Sequence, residues 1–248
     1  MCTERDSGQG VEHLHRRSFL KASGAIAAMT FAGAGSLGSI AYADALTKAQ
    51  RDKLSPDDIL ALMKRGNKRF YTGKPEDHNY LAQQRASAKG QYPAAVLLSC
   101  IDSRASAETI LDLRIGDIFN SRVAGNVENA DILGSMEFAC KLSGAKVVLV
   151  MGHTACGAIK GAIDNAELGN LTGLLAKIKP AVAATAYTGE RTSKNYAFVD
   201  AVARKNVEIT MANIRKGSPV LAGMESAGAV KIAGAMYNLE SGVVDFFS

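Results

Sequence analysis

The sequence has little aromatic character: its 248 residues include no tryptophan, and aromatic side chains make up 6% of the total. It also contains no basic run with interleaved aromatic residues, which is the pattern typical of nucleic-acid binding. The net charge of +5 therefore does not indicate a nucleic-acid partner. After residue 43 there is no internal repeat, low-complexity tract or second hydrophobic core, so residues 44–248 are predicted to form one domain.

Cysteine is also scarce, with four residues in the whole chain. Residues 44–248 contain Cys100, Cys140 and Cys156, an odd number that argues against a disulfide framework. A redox role for Cys100 and Cys156 is disfavoured as well, because the two are not arranged as Cys-x-x-Cys. Cys140 falls within an apolar helical pattern, and a packing role is predicted for it.

An uninterrupted hydrophobic run long enough for a membrane span is missing from the N-terminal region. Residues 16–21, Arg-Arg-Ser-Phe-Leu-Lys, match a twin-arginine export signal, and a segment rich in glycine and alanine follows over residues 22–40. Glycines interrupt this segment, which disfavours a transmembrane anchor. Residues 41–43, Ala-Tyr-Ala, form a cleavage site of small residues. We therefore predict a twin-arginine signal peptide over residues 1–43, and a mature protein that is periplasmic or secreted and has no stable membrane anchor.

The rest of the chain alternates between strand-like and helix-like patterns. Short apolar runs rich in β-branched residues alternate with amphipathic segments, which is typical of an α/β fold. The predicted strands cover residues 94–99, 118–123, 146–151, 229–237 and 243–247, and the predicted helices that follow the first strand include residues 107–113, 131–142, 171–186, 195–216 and 218–226. The predicted fold class is α/β: a mainly parallel sheet flanked by helices, with an antiparallel C-terminal edge strand.

Residues 44–72, which precede the first strand, are predicted to be helical. Ser55 is a typical N-cap and Pro56 occupies the first helical position. The segment carries an apolar stripe at helical spacing. Because one domain of this size has few other places to bury such a stripe, we predict that these helices contact a partner subunit as N-terminal dimerisation helices.

Two motifs that carry metal-ligating residues each follow a buried strand pattern directly. Cys100 ends the first strand, and the His153-x-x-Cys156 motif follows the third. The carboxyl ends of neighbouring parallel strands meet at one edge of an α/β sheet, where such folds bind their ligands. Two thiols and an imidazole at that edge predict a zinc site with Cys100, His153 and Cys156 as ligands. The fourth position is left to water or to Asp102, which is the open arrangement of a catalytic metal.

Asp102 has two predicted roles. It can ligate zinc as a fourth ligand, or it can accept a hydrogen bond from a zinc-bound hydroxide and so orient that nucleophile. Arg104, two residues further on, can pair with it through two parallel hydrogen bonds, which would keep Asp102 ionised and draw it off the metal. Asp102 and Arg104 are therefore the predicted catalytic residues.

Together these motifs resemble those of the β-class carbonic anhydrases. The resemblance rests on Cys-x-Asp-x-Arg at residues 100–104 and His-x-x-Cys-Gly at residues 153–157, and it extends to Gly-Gln-Tyr-Pro at residues 90–93 and Arg-Val-Ala-Gly-Asn at residues 122–126. It implies reversible hydration of carbon dioxide to bicarbonate and a proton, by attack of hydroxide held on one zinc ion per subunit. It also implies a homodimer with active sites at the subunit interface, or a tetramer.

The resemblance further implies a substrate pocket. Gln91 occupies the position of a family glutamine that reaches the substrate, Phe119 matches the apolar wall, and the amide of Gly157 is expected to contact product oxygens. The chain departs from the family at Ala124, where many members have valine, and at Phe138, where plant-like members have tyrosine. All five are the predicted substrate-binding residues.

Other functions remain open on the same residues. The same fold and ligands can hydrolyse carbonyl sulfide or carbon disulfide, and a non-catalytic zinc- or bicarbonate-binding protein is a further alternative. Some bacterial family members hold an inhibitory bicarbonate with tryptophan, arginine and tyrosine; Arg122 matches that arginine, but the absence of tryptophan disfavours the site. His78 is a conceivable proton shuttle, although a surface role is favoured for it.

Overall fold

The structure is a computed structural model that describes residues 45–247, so the predicted signal peptide over residues 1–43 lies outside the described residues. Within that range no helix combines the length and the hydropathy that a membrane span requires. In chain order the elements are α1 (Lys48–Lys53), α2 (Pro56–Tyr71), α3 (Tyr80–Ser87), β1 (Ala95–Ser99), α4 (Ala107–Ile110), β2 (Ile118–Arg122), α5 (Ala130–Glu137), β3 (Val147–His153), α6 (Gly157–Ile163), α7 (Gly169–Ala176), α8 (Lys179–Ala184), α9 (Tyr196–Gly217), α10 (Pro219–Ser226), β4 (Lys231–Tyr237) and β5 (Val244–Phe247).

The five strands form one sheet in the order β2-β1-β3-β4-β5. Strands β2, β1, β3 and β4 are mutually parallel, and β5 pairs with β4 in the antiparallel direction. Every residue of β1 and β3 is buried, as expected for parallel strands covered by helices on both faces. The predicted fold class is confirmed, including the antiparallel C-terminal edge strand.

Each face of the sheet carries its own hydrophobic core. On one face, Leu98 and Val150 pack with Phe198 of α9. On the other face, the alternating neighbours Leu97 and Leu149 pack with residues of α2 and α4. The two faces follow from the two-residue side-chain period of strands, which sends successive side chains to opposite sides.

The apolar stripe of helix α2 is buried within its own domain. Ser55 caps the helix in a capping box with Asp58, as the sequence predicts. Ile59 and Met63 are almost fully buried in the core that includes Leu149. The apolar stripe therefore gives no reason to expect a partner against α2, and the assembly remains a prediction that other surfaces must support.

Several predicted boundaries differ from the structure for local reasons. The predicted helix 107–113 ends at Ile110, and Asp112 has a φ of 47°, which a helix cannot continue. The predicted helix 171–186 is two helices, because Pro180 opens α8 and lacks the N–H that a continuous helix needs. The predicted helix 131–142 widens after α5 into a π-helical turn, Phe138–Leu142.

Candidate metal centre

Three metal-ligating side chains meet at the carboxyl edge of the sheet. Cys100 follows β1 directly, His153 is the last residue of β3, and Cys156 is the N-cap of α6. Because Ser99 lies beside Met151 in the paired strands, Cys100 and His153 emerge side by side. The two sulfurs and a ring nitrogen of the histidine lie within 4.8 Å of one another, and all three residues are buried. This is the soft donor set that zinc prefers.

The imidazole of His153 is oriented for a cation. Its Nδ1 lies 2.8 Å from the backbone oxygen of Thr154, so Nδ1 carries the proton and donates it to that carbonyl. Nε2 is buried and makes no hydrogen bond to any described residue. Burial lowers the pKa of His153, but Cys100 and the Asp102 carboxylate outweigh burial and raise it above its ordinary value. An orphaned buried nitrogen beside two sulfurs fits a zinc ion.

The two thiols differ in acidity. A hydrogen bond from Cys156 lowers the pKa of Cys100 to about 4, against the opposing effect of burial. The N–H of Gly125, 3.4 Å from the Cys100 sulfur, acts in the same direction. The same sulfur–sulfur hydrogen bond, together with burial, raises the pKa of Cys156 above its ordinary value. The pair therefore holds one proton between two sulfurs, and a divalent cation would displace that proton to gain a second thiolate ligand.

Asp102 is bound by Arg104 through both of its carboxylate oxygens. Arg104 Nε donates to Oδ1 at 3.0 Å, and Nη2 donates to Oδ2 at 2.8 Å. These bonds hold the pKa of Asp102 well below its ordinary value, against the effect of burial. Oδ2 lies 3.8 Å from Nε2 of His153, so the carboxylate faces the ligand cluster without belonging to the group of three. To become a fourth ligand, Asp102 would have to give up part of its bonding to Arg104.

Arg122 fixes the loop that carries Cys100 and Asp102. From the last position of β2, its Nε donates to the backbone oxygen of Cys100 at 3.0 Å, and its Nη2 donates to the backbone oxygen of Asp102. The sequence resemblance suggested only a bicarbonate-binding arginine at this position. In the structure the guanidinium is engaged with the backbone of the ligand loop.

Helix α9 closes the site from behind. Asn206 Nδ2 donates to the backbone oxygen of Gly125 at 2.7 Å, and the N–H of Gly125 in turn reaches the Cys100 sulfur. Gly125 has a φ of 71°, and a side chain there would lie 2.6 Å from Ile178. Gly152, just before the histidine, leaves room for Val207 of α9, which a Cβ would meet at 2.8 Å.

Two of the predicted substrate-binding residues border the cluster. Ala124 precedes Gly125, whose N–H bonds the Cys100 sulfur. Gly157 follows Cys156 as the first residue of α6, and it is exposed, with no atom within 4 Å of the position that a Cβ would take. Gly157 is therefore accessible to solvent next to Cys156 in the chain.

The other three predicted substrate-binding residues lie away from the cluster of the same chain. Phe119 and Phe138 form an edge-to-face pair, with ring centroids 6.1 Å apart, in a groove that reaches Val96 near the start of β1. Gln91 is exposed and precedes β1, whereas Cys100 follows it. A five-residue strand spans about 3.3 Å per residue, so Gln91 and Cys100 lie at opposite ends of roughly 15 Å of backbone.

His78 is neither near the cluster nor a solvated surface residue, so the favoured surface role is wrong. Its side chain is mostly buried, and Nε2 lies 2.7 Å from Oδ1 of Asp112. Asp112 also accepts from Nε of Arg69, and the imidazole stacks on Tyr80. This polar cluster ties the segment before α3 to the residues after α4.

Sequence reasoning missed three residues around the site: Asp200, Asn206 and Tyr237. Asp200 and Asn206 sit within a helical pattern that only indicated an amphipathic helix. Tyr237 ends β4 beside His153, and its backbone oxygen accepts the N–H of Thr154 at 3.0 Å. A rule that examines the last residue of every predicted parallel strand would have found Tyr237.

The sequence matches known proteins over most of its length. The family model for carbonic anhydrase matches residues 95–244, and the model for the twin-arginine translocation pathway signal sequence matches residues 13–33. Carbonic anhydrase 2 of Mycobacterium tuberculosis is 34% identical over 182 residues, which cover 73% of this chain and 87% of the relative. A carbonic anhydrase of Mycolicibacterium smegmatis is 32% identical over 188 residues, which cover 75% of this chain and 90% of the relative.

Solved structures of β-carbonic anhydrases share the fold. One from Aspergillus fumigatus has a TM-score of 0.57 at 29% identity and covers 66% of this chain and 79% of its own. One of two tetrameric β-carbonic anhydrases from Sordaria macrospora has a TM-score of 0.57 at 24% identity and covers 64% of this chain and 82% of its own. These matches confirm the predicted fold, and the signal-sequence match confirms the predicted twin-arginine signal.

Proposed function

The chain belongs to the β-carbonic anhydrase family, and from that premise we propose that Cys100, His153 and Cys156 hold one zinc ion at which carbon dioxide is reversibly hydrated to bicarbonate and a proton. The observation that carries the proposal is the meeting of three buried ligand atoms within 4.8 Å. The Asp102 carboxylate faces that cluster and is held in place by Arg104.

When bound, zinc would lower the pKa of a coordinated water to about 7 and so supply a nucleophile near neutral pH. Asp102 stays ionised across that range because Arg104 depresses its pKa. As a carboxylate it can only accept hydrogen bonds, so it takes one from the attacking water and fixes the direction of attack. The two bonds from Arg104 fix the plane of the carboxylate, which faces the cluster at 3.8 Å from His153 Nε2.

Stopped-flow measurement of carbon dioxide hydration by the purified, zinc-loaded mature protein tests this proposal. We expect turnover that is lost on chelation and recovered with zinc. Carbonyl sulfide and carbon disulfide should be offered to the same preparation. Turnover of either in place of carbon dioxide would support the hydrolase alternative, and zinc binding without any turnover would support the non-catalytic alternative.

We further propose a homodimer, alone or paired into a tetramer, in which Gln91 completes the partner's site. Gln91, Phe119 and Phe138 lie too far from Cys100 to serve the site of their own chain. Phe119 lies in β2, and Gln91 and Phe138 lie beside it. The outer edge of β2 pairs with no other strand in the described part of the chain, and Phe138 is half exposed. An open, partly apolar sheet edge favours covering by another chain, and one of the solved relatives is described as tetrameric.

Subunit complementation tests this assembly. Chains with Cys156→Ala and chains with Gln91→Ala should each be impaired, yet mixed dimers should recover activity because one of their two sites keeps every residue. Light scattering on the mature protein at low micromolar concentration should give at least a dimer mass. A fully active monomer, or mixing without recovery, would contradict the proposal.

Export is the last part of the proposed function. The signal sequence directs the protein across the cytoplasmic membrane by the twin-arginine route. We propose cleavage after Ala43, which leaves residues 44–248 as the single zinc-binding catalytic domain in the periplasm or outside the cell. Mass spectrometry of the exported protein should give Asp44 as its first residue. Changing Arg16 and Arg17 together to lysine should retain the precursor in the cytoplasm.

A further inference from the structure

The turn between His153 and Cys156 contains a residue in an unusual conformation. Ala155 has a φ of 55°, in the left-handed region that residues with a Cβ seldom adopt. Such a conformation persists only where the surrounding structure holds it. Ala155 lies directly before a metal-ligating sulfur, so whatever holds it also sets the position of that sulfur.

Neighbouring groups hold the backbone of this turn. The N–H of Thr154 donates to Tyr237, and its hydroxyl accepts the N–H of Leu239 at 3.0 Å. The carbonyl of Thr154 accepts Nδ1 of His153. The N–H of Ala155 donates to Oδ1 of Asp200 at 2.7 Å. The left-handed residue is therefore held by a carboxylate that comes from a separate helix, α9.

Asp200 is placed to act on the turn and not on the metal. It does not belong to the group of ligand atoms formed by Cys100, His153 and Cys156. A hydrogen bond from an N–H to a carboxylate is stronger than one to a neutral acceptor, and it also fixes direction. Helix α9 is packed firmly behind the site through Phe198 and Val202, both fully buried, so the carboxylate has a rigid base.

We propose that Asp200 is a positioning residue of the metal centre: by binding the N–H of Ala155, it holds the left-handed turn that sets the distance from His153 Nε2 to Cys156 Sγ. This inference rests on the zinc site proposed above. It predicts that Asp200 matters through one acceptor oxygen and one backbone conformation, and both can be changed separately.

Zinc affinity, measured by competition with a chromogenic chelator, is the main test. Asp200→Ala removes the acceptor and should weaken zinc binding by about 10–100-fold, the range typical of partners that orient metal ligands. Asp200→Asn retains an acceptor oxygen and should stay near the native affinity. Glu208→Ala, which removes a carboxylate paired with Lys205 on the same helix, is the matched control and should not change zinc affinity.

A second change separates backbone positioning from any other effect of the carboxylate. Adding Ala155→Gly to Asp200→Ala should recover part of the lost affinity, because glycine adopts the left-handed conformation without a side-chain penalty. The absorption spectrum of the cobalt(II)-loaded protein should be altered in Asp200→Ala and move back toward native in the double variant. If the alanine variant cannot be purified, the double variant and Asp200→Asn are each compared with the native protein by zinc affinity and by the cobalt(II) spectrum. Weak zinc binding by Asp200→Asn would then contradict the inference.

Three results would overturn the inference: native zinc affinity in Asp200→Ala, an asparagine variant as weak as alanine, or a glycine double variant no tighter than Asp200→Ala. These three results are distinguishable from a failure of the proposed zinc site itself, because in that case the native protein would bind no zinc at all.

Discussion

The two segments that carry the proposed metal ligands are held in different ways. The loop from Cys100 to Arg104 is held by charged side chains near solvent, and the side chain of Arg104 is 60% exposed. The turn from His153 to Cys156 is held at its backbone N–H groups, which donate to the backbone oxygen of Tyr237 at the end of β4 and to the carboxylate of Asp200 on α9. The comparison predicts that the contacts of the turn affect whether metal binds, whereas Asp102 and Arg104, which follow the proposed ligand Cys100 in the loop, affect how well the bound metal is used.

The largest expected effect comes from breaking the turn segment at its ligand. Cys156→Ala leaves two protein ligands, so zinc content by atomic absorption should fall to background and carbon dioxide hydration should be abolished. Cys140→Ala is the control, since that buried thiol lies off the site and burial raises its pKa to about 12. Full zinc occupancy in Cys156→Ala would show that the ligand set is wrong.

A change in the loop at Arg104 should spare the metal. Arg104→Ala removes both bonds that hold the Asp102 carboxylate, freeing it to turn onto the metal, and we expect a loss of about 10²-fold in kcat, the scale of a small misplacement of a catalytic group. Zinc content should stay at one per subunit. Arg104→Lys, which cannot form the paired bonds, should fall between native and alanine. Loss of zinc from Arg104→Ala would remove the distinction between the two segments.

Helix α9 supports the Cys100 sulfur through Asn206 and Gly125, and loss of that support should mainly lower the stability of the protein. Asn206→Ala leaves the buried carbonyl of Gly125 without its donor, which should lower the free energy of unfolding by about 1–3 kcal/mol. Urea denaturation of the zinc-loaded protein measures it. Asn213→Ala is the control on the same helix as Asn206. It removes a half-buried hydrogen bond to Glu128 and should change the urea midpoint less. An equal shift of the urea midpoint in both variants would show that Asn206 supports the site no more than Asn213 does.

The smallest expected effect is a pH dependence confined to acid. Arg104 depresses the folded-state pKa of Asp102 below the unfolded value of about 3.9. The pair's contribution to stability is therefore complete above about pH 5 and is lost as pH falls below 4 toward the folded pKa. In chelator-treated protein, the difference in Tm between native and Asp102→Asn should shrink as pH falls below 4. A change between pH 5 and 8 would report His153, whose pKa the Asp102 carboxylate raises. A difference that stays constant below pH 4 would show that the ionised Asp102–Arg104 pair contributes nothing to stability.

Much of the fold could be predicted from the sequence because its signals are local. The β-branched runs before Cys100 and His153, the N-cap at Ser55 and the turn before β5 each depend on a few adjacent residues. The errors fall where distant contacts override the local pattern. Asp112 ends α4 early because its buried carboxylate binds Arg69 and His78 from another part of the chain.

The sequence by itself determined that the proposed ligands Cys100, His153 and Cys156 meet, since they follow strands whose carboxyl ends must share one edge of a parallel sheet. Only the tertiary structure decided what holds those ligands. Asp200, 44 residues beyond Cys156, leaves no local signal because a carboxylate on a helix surface looks the same in sequence whether it meets solvent or a backbone N–H. That contact depends on how α9 crosses the sheet, which is set by packing between residues far apart in the chain.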